Sequence, residues 1–166
     1  MQKSLILVRH AQSVSSLSGL KDIERSLTDK GIRDAYKTGK YIFRSNLKPE
    51  LIYTSHALRA ISTSRLIAEQ TGLGNHQVIS LEDLYESSVR IMLRIVNELK
   101  TENECVLITG HNPSISFLCE FLTNETIPEL LPGGLCIIGF NVPEWSQIDK
   151  SSGKLIDIKS PDDIIL

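Results

Sequence analysis

The sequence predicts an α/β protein, a three-layer α/β/α sandwich whose central sheet is mostly parallel with an antiparallel edge toward the C-terminus. Three observations carry this. Short apolar runs alternate with segments of helical period along the chain. The runs at 5–8 and 106–109 are nearly all apolar, as strands buried on both faces are. The last two apolar runs, at 145–148 and 155–158, flank the hairpin-type loop Asp149-Lys150-Ser151-Ser152-Gly153.

In chain order, residues 5–8 read as the first strand. Thr28 is a suitable N-cap for a helix reaching about residue 45, with Ile32, Ala35, Tyr36, Ile42 and Phe43 at helical spacing. Residues 51–54 read as a strand. A helix over 57–71 follows, which Gly72 ends as a C′ glycine. Residues 78–80 form a short strand, and Val89, Met92, Leu93, Val96 and Leu99 line one face of the next helix. The strand at 106–109 leads to Asn112-Pro113, read as N-cap and first helical residue. Ile115, Leu118, Cys119 and Leu122 form that helix's inner face, and residues 135–140 make a further strand.

The chain of 166 residues suits one domain, 1–166, at about 150 residues per domain. With 41% hydrophobic and 23% charged residues it can bury a core, which argues against disorder. Three widely spaced cysteines, Cys105, Cys119 and Cys136, make no disulfide framework or CxxC pattern and read as small buried hydrophobes. The N-terminal apolar run is too short for a signal sequence, and no run reaches the roughly 20 residues of a membrane span. The expectation is a cytoplasmic protein with no membrane partner.

Aromatic residues are 5%, which disfavours base stacking on nucleic acid. The basic stripe Lys30, Arg33, Lys37, Lys40 and Arg44 is read as a solvated helix face. Residues 1–83 carry 12 basic and 8 acidic groups, residues 84–166 carry 6 and 12, so positive charge is concentrated in the first half. A local positive site on a mildly acidic body suits a small anionic group better than a polyanion.

Ligands of open α/β sheets bind beyond the carboxyl ends of the strands. Arg9 and His10 follow the first strand, Ser55 to Arg59 the second, and Gly110-His111-Asn112-Pro113 the strand at 106–109. Two arginines, two histidines and two helix N-termini thus converge on one edge, which describes an oxyanion site with phosphate as best fit. His56 has no clear role and reads as surface. Six residues after each cysteine stand His111, Glu125 and Val142, so the Cys-to-Arg pattern of a cysteine phosphatase is missing. No Walker, HExxH or EF-hand pattern occurs. A site without metal or other cofactor, using a histidine nucleophile, is what remains.

Leu5-Ile6-Leu7-Val8-Arg9-His10-Ala11 resembles the opening motif of the histidine phosphatase (phosphoglycerate mutase-like) superfamily. The stretch from Asp22 through Arg25-Ser26-Leu27-Thr28 to Gly31 is similar to its R-x-L-T-x-x-G helix start. Ser55-His56-Ala57-Leu58-Arg59-Ala60 with Thr63, Leu84-Tyr85-Glu86 and Gly110-His111-Asn112-Pro113 resemble its later motifs. Chain length and the Asn-Pro after His111 look most like the small SixA-type branch of phosphohistidine phosphatases. Two positions depart from the pattern. Ala11 stands for the usual glycine, and Ser16 for the phosphate-binding asparagine; the Ser16 hydroxyl can donate to phosphate or belong simply to the loop.

The resemblance implies a phosphoglycerate mutase-like fold and a metal-independent phosphatase. His10 would attack phosphorus and become phosphohistidine, and Arg9, Arg59 and His111 would hold the phosphoryl oxygens, with Ser16 as a further ligand. Arg9 and Arg59 would keep His10 neutral. Glu86, ahead of Glu82, is the candidate general acid, and a phosphohistidine substrate needs none because its imidazole leaves with its own proton. The substrate implied is a phosphate-bearing one, a histidine-phosphorylated protein first. The alternatives are a small-molecule phosphomonoesterase of the same fold, a non-catalytic phosphate-binding module, and a mutase, which would need a cap over the site for which this length leaves little room.

Overall fold

In the computed structural model, which describes residues 2–165, the strands Lys3–Arg9 (β1), Leu51–Ser55 (β2), Val78–Leu81 (β3), Cys105–Gly110 (β4), Leu135–Phe140 (β5) and Gly153–Lys159 (β6) join in one sheet in the order β3-β2-β4-β1-β5-β6. β3, β2, β4 and β1 run parallel, with Leu5 opposite Val106 and Ile52 opposite Leu107. β5 is antiparallel to both β1 and β6. The mostly parallel sheet with an antiparallel side is therefore as expected.

The helices are Asp29–Arg44 (α1), Leu58–Thr71 (α2), Val89–Asn97 (α3) and Ser114–Thr123 (α4). Side chains of a strand alternate between faces, and β1 feeds two cores in turn. Leu5 and Leu7 pack with Met92, Val96, Leu118 and Leu122 under α3 and α4. Ile6 and Val8 pack with Ile42, Ile52 and Ile67 under α1 and α2. All four β1 residues are fully buried, which accounts for the continuous apolar run. The three cysteines are buried and free, as read.

Three local expectations need correction. α1 turns Gly31, Asp34, Ala35, Thr38, Gly39 and Ile42 inward, while Ile32, Tyr36 and Phe43 remain largely exposed. The cause is close packing on α2: a Cβ on Gly39 would lie 2.8 Å from the Gln70 side chain. Small residues mark this face, with Ile42 as its one fully buried large apolar side chain. Asn112 is not an N-cap, because its carboxamide donates to Leu130 O and accepts from the Ser116 hydroxyl, both at 2.8 Å, so α4 starts after Pro113. Residues 145–147 form a 3-10 turn rather than an extended run. The Trp145 indole is buried there and donates to Asn103 O at 2.8 Å. β6 pairs with β5 instead.

Thr28 caps α1 as expected, accepting from Gly31 N at 3.0 Å. At Gly31 an added Cβ would fall 2.0 Å from the carbonyl oxygen of Gln12, two residues after His10. Backbone cannot yield there as a flexible side-chain end does. Gly31→Ala is expected to cost at least about 2–3 kcal/mol of stability, at the upper end of overpacking effects, as read by urea unfolding.

Candidate active site

Two parallel strands and one helix bring the expected residues together. Arg9 ends β1 and His10 follows it, His111 follows β4, and Arg59 lies in the first turn of α2. The backbone around His10 is pinned: His10 N–H donates to Gly110 O at 3.0 Å, and Gly133 N–H donates to His10 O at 3.1 Å. Ala11 N–H donates to the Thr63 hydroxyl at 3.0 Å, which itself donates to Arg59 O at 2.7 Å. Thr63 so ties the His10 loop to the helix carrying Arg59.

The His10 ring is polarised by its neighbours. Nδ1 lies 2.8 Å from the Ala11 carbonyl oxygen, which can only accept. Nε2 faces the Arg59 Nε–H at 3.3 Å, which can only donate. The ring proton therefore sits on Nδ1, and Nε2 presents its lone pair. His111 lies beside it with ring centroids 5.0 Å apart, and its Nε2 is 2.8 Å from the Ser55 hydroxyl. Burial lowers the His10 pKa to about 4, with Arg59, Arg9 and Arg25 adding to the effect against the Ala11 hydrogen bond. Burial, then His10 and Arg59, lowers His111 to about 3. Both imidazoles are neutral at pH 7, and two neutral imidazoles among guanidiniums make a site for an anion.

These shifts have a consequence for folding. A histidine with a depressed native pKa takes up its proton more readily when unfolded, where the value is about 6.5. Stability is then full above that value and is lost as pH falls from 6.5 toward 4 and 3. Each histidine is expected to remove roughly 2 kcal/mol between pH 7.5 and pH 5. Urea unfolding at the two pH values checks this.

Arg59 is 4% exposed and is held from a direction the sequence reading missed. Its NH1 donates to Asp22 O at 2.6 Å and its NH2 to Asp22 Oδ2 at 2.9 Å. The Tyr85 hydroxyl donates to the same Oδ2 at 2.7 Å, and Arg25 Nε donates to Oδ1 at 3.0 Å. The Tyr85 hydrogen bond, with Arg59 and Arg25, holds the Asp22 carboxyl down at about 2. Tyr85 also stands edge-on to His111 at 5.6 Å and to His56 at 5.2 Å. His56 is thus part of the wall, half-buried with Nδ1 unpartnered, and not simply surface. Arg9 donates from NH1 to Leu130 O at 2.7 Å, and its Nε is buried without a partner.

Other expected residues stay apart. Ser16 is exposed on the 3-10 turn Ser16–Ser18, and no hydrogen bond joins it to the cluster. Glu82 and Glu86 are both exposed, Glu86 with a left-handed backbone at φ 49°, and neither bonds to the cluster. In the Leu84-Tyr85-Glu86 segment it is Tyr85 that faces the histidines. Among the described residues, no group of three or more His, Cys, Asp or Glu side chains has the arrangement of a metal site, and no helix is long and apolar enough to cross a membrane.

Comparison with known proteins bears on this arrangement. The family model described as Histidine phosphatase superfamily (branch 1) matches residues 5–93, more than half of the chain. A 2,3-bisphosphoglycerate-dependent phosphoglycerate mutase of Bartonella bacilliformis is 37% identical over 90 residues, covering 52% of this chain and 43% of the mutase. The match therefore spans less than half the length of that relative. Among solved structures, the protein histidine phosphatase SixA complexed with tungstate superposes with a TM-score of 0.82 at 20% identity, covering 96% of this chain and 97% of that one. A mycobacterial glucosyl-3-phosphoglycerate phosphatase gives 0.72 at 15% identity, covering 95% and 98%. These two likenesses establish the fold, which is phosphoglycerate mutase-like.

Proposed function

As the chain belongs to the histidine phosphatase superfamily, we propose that it is a phosphatase working through a phosphohistidine on His10, with a protein phosphohistidine as substrate. The observation that carries this reading is the polarised His10 ring, with a carbonyl at Nδ1 and a guanidinium N–H at Nε2. The Nε2 lone pair attacks phosphorus as the bond from phosphorus to the substrate nitrogen breaks, and the substrate ring, already protonated on its other nitrogen, takes that electron pair and leaves as neutral imidazole. Water then attacks phosphorus, the P–Nε2 bond breaks, and inorganic phosphate departs. Arg9, Arg59 and His111 bind the phosphoryl oxygens and offset charge as it shifts in the transition state.

Two features favour phosphohistidine. Glu82 and Glu86 are exposed, and the carboxyl that does reach the cluster, Asp22, is held ionised by Tyr85 and Arg59. Neither arrangement offers a carboxylic acid to protonate a leaving alcohol, and a phosphoramidate needs none. The outer rim is accessible as well, since the Asp22 side chain is 46% exposed. A phosphoryl group carried on a macromolecule can reach such a rim. A second reading, a phosphatase for a small phosphate ester, is favoured by the sequence match to phosphoglycerate mutases over about half of the chain.

The test offers the protein a histidine-phosphorylated carrier protein, an aryl phosphate and a panel of alkyl phosphates, each with EDTA. Rapid release from the first two, and slow release from alkyl esters, is the expected outcome. A phosphoenzyme labile in acid and stable in alkali is expected with it. Preferential turnover of one alkyl phosphate establishes the second reading. Phosphate binding without any turnover, or turnover abolished by EDTA, overturns both.

A further inference from the structure

We infer that Asp22 is a built-in competitor for the phosphoryl group, an internal anion that loosens the hold of Arg59 on product phosphate. The inference rests on the reading of Arg59 as a phosphate-holding residue. An arginine grips phosphate best through two parallel N–H donors. Arg59 already spends NH1 on the Asp22 carbonyl and NH2 on the Asp22 carboxylate, while its Nε faces His10. A phosphoryl group on His10 must then share the guanidinium with a carboxylate of the same sign, or displace it.

The carboxylate is well held where it lies. Oδ1 accepts from Arg25, and Oδ2 accepts from Arg59 and Tyr85. The segment carrying it is closed at its base by the bridge between Ser13 and Leu27 and by Val14 N–H donating to Ser26 O. Among the described residues, every hydrogen bond from residues 15–25 to the protein outside 14–26 runs through Asp22. Leu17 is 93% exposed on the same segment. One residue therefore holds this loop to the site, by its carboxylate on Arg59 NH2 and Tyr85 and its carbonyl on Arg59 NH1, and in doing so occupies donors that phosphate needs. Phosphate and Asp22 exchange places on Arg59, and the return of Asp22 helps phosphate to leave.

Competition and positioning predict opposite signs. If Asp22 competes, Asp22→Asn binds inorganic phosphate more tightly, by roughly tenfold, the scale of one charge contact near a protein surface. Turnover of an aryl phosphate then shows a lower KM and stronger inhibition by added phosphate. If Asp22 only positions Arg59, the same change weakens phosphate binding. Calorimetric titration of inorganic phosphate into wild type, Asp22→Asn, Asp22→Ser and Arg59→Ala at pH 7 measures this directly and needs no turnover. Tighter binding in both Asp22 variants with loss of binding in Arg59→Ala is the expected result. Unchanged or weaker binding in the Asp22 variants, with binding lost in Arg59→Ala, overturns the competitor and leaves the site standing. Unaltered binding in Arg59→Ala, or no binding in wild type, overturns the reading of the site and the competitor with it.

Discussion

Replacing His10 with alanine is expected to lower turnover of an aryl phosphate by about 10⁴-fold or more, the scale on which loss of a covalent nucleophile is felt. The reason is chemical rather than structural. The contacts that fix residue 10 in the fold, its N–H to Gly110 O and its O to Gly133 N, are made by backbone. Alanine keeps both. What disappears is the ring whose Nε2 faces Arg59 and the acid-labile phosphoenzyme it forms. Circular dichroism and thermal unfolding should change little while turnover and labelling vanish together. A His10→Ala protein that kept a tenth of the activity would place the nucleophile elsewhere.

Arg59→Ala is the second large effect, an expected loss of about 10³-fold in kcat/KM, at the upper end for removing one preorganised donor to a developing anion. Its pH profile separates this from simple damage. Wild-type kcat/KM should hold steady as pH falls through 6 and decline only toward 4, where His10 takes its proton. Burial is the main cause of that low value and survives the substitution, but the positive charge of Arg59 does not. The His10 pKa then moves up toward its ordinary value of about 6.5, and the acid limb moves to higher pH. Arg59→Lys restores the charge without the fork. It should return the acid limb toward its wild-type position while recovering only part of the rate.

Much of this site was legible from strand ends. His10, Arg59 and His111 lie near carboxyl ends of strands in an α/β pattern, and periodicity alone finds such ends. Asp22 and Arg25 were not legible as site residues, although the motif containing them was. They belong to a loop with no period, and its return to Arg59 is a tertiary event. Tyr85 is not legible by residue type, because a phosphate site points first to the neighbouring acids, whereas the backbone after β3 turns Glu86 outward. The inner face of α1 is legible only in part, for a different reason: Ala35 and Ile42 are buried as the spacing predicts, whereas Ile32, Tyr36 and Phe43 are exposed. Hydrophobic periodicity weights large side chains, but Gly31, Ala35 and Gly39 set this contact by letting backbone approach. The apolar neighbourhood of Trp145 predicts an extended run, and burial of its indole requires a turn instead.

The pairing of β1 with β4 on one side and β5 on the other has a consequence for motion. Amide protons of a strand bonded at both edges and covered on both faces exchange with solvent only when the whole molecule opens. The loop bearing Asp22 has no such protection and can detach alone. The site is thus assembled from a slow half and a fast half. Deuterium should enter residues 15–25 in seconds while residues 4–10 stay protonated for as long as the protein remains folded.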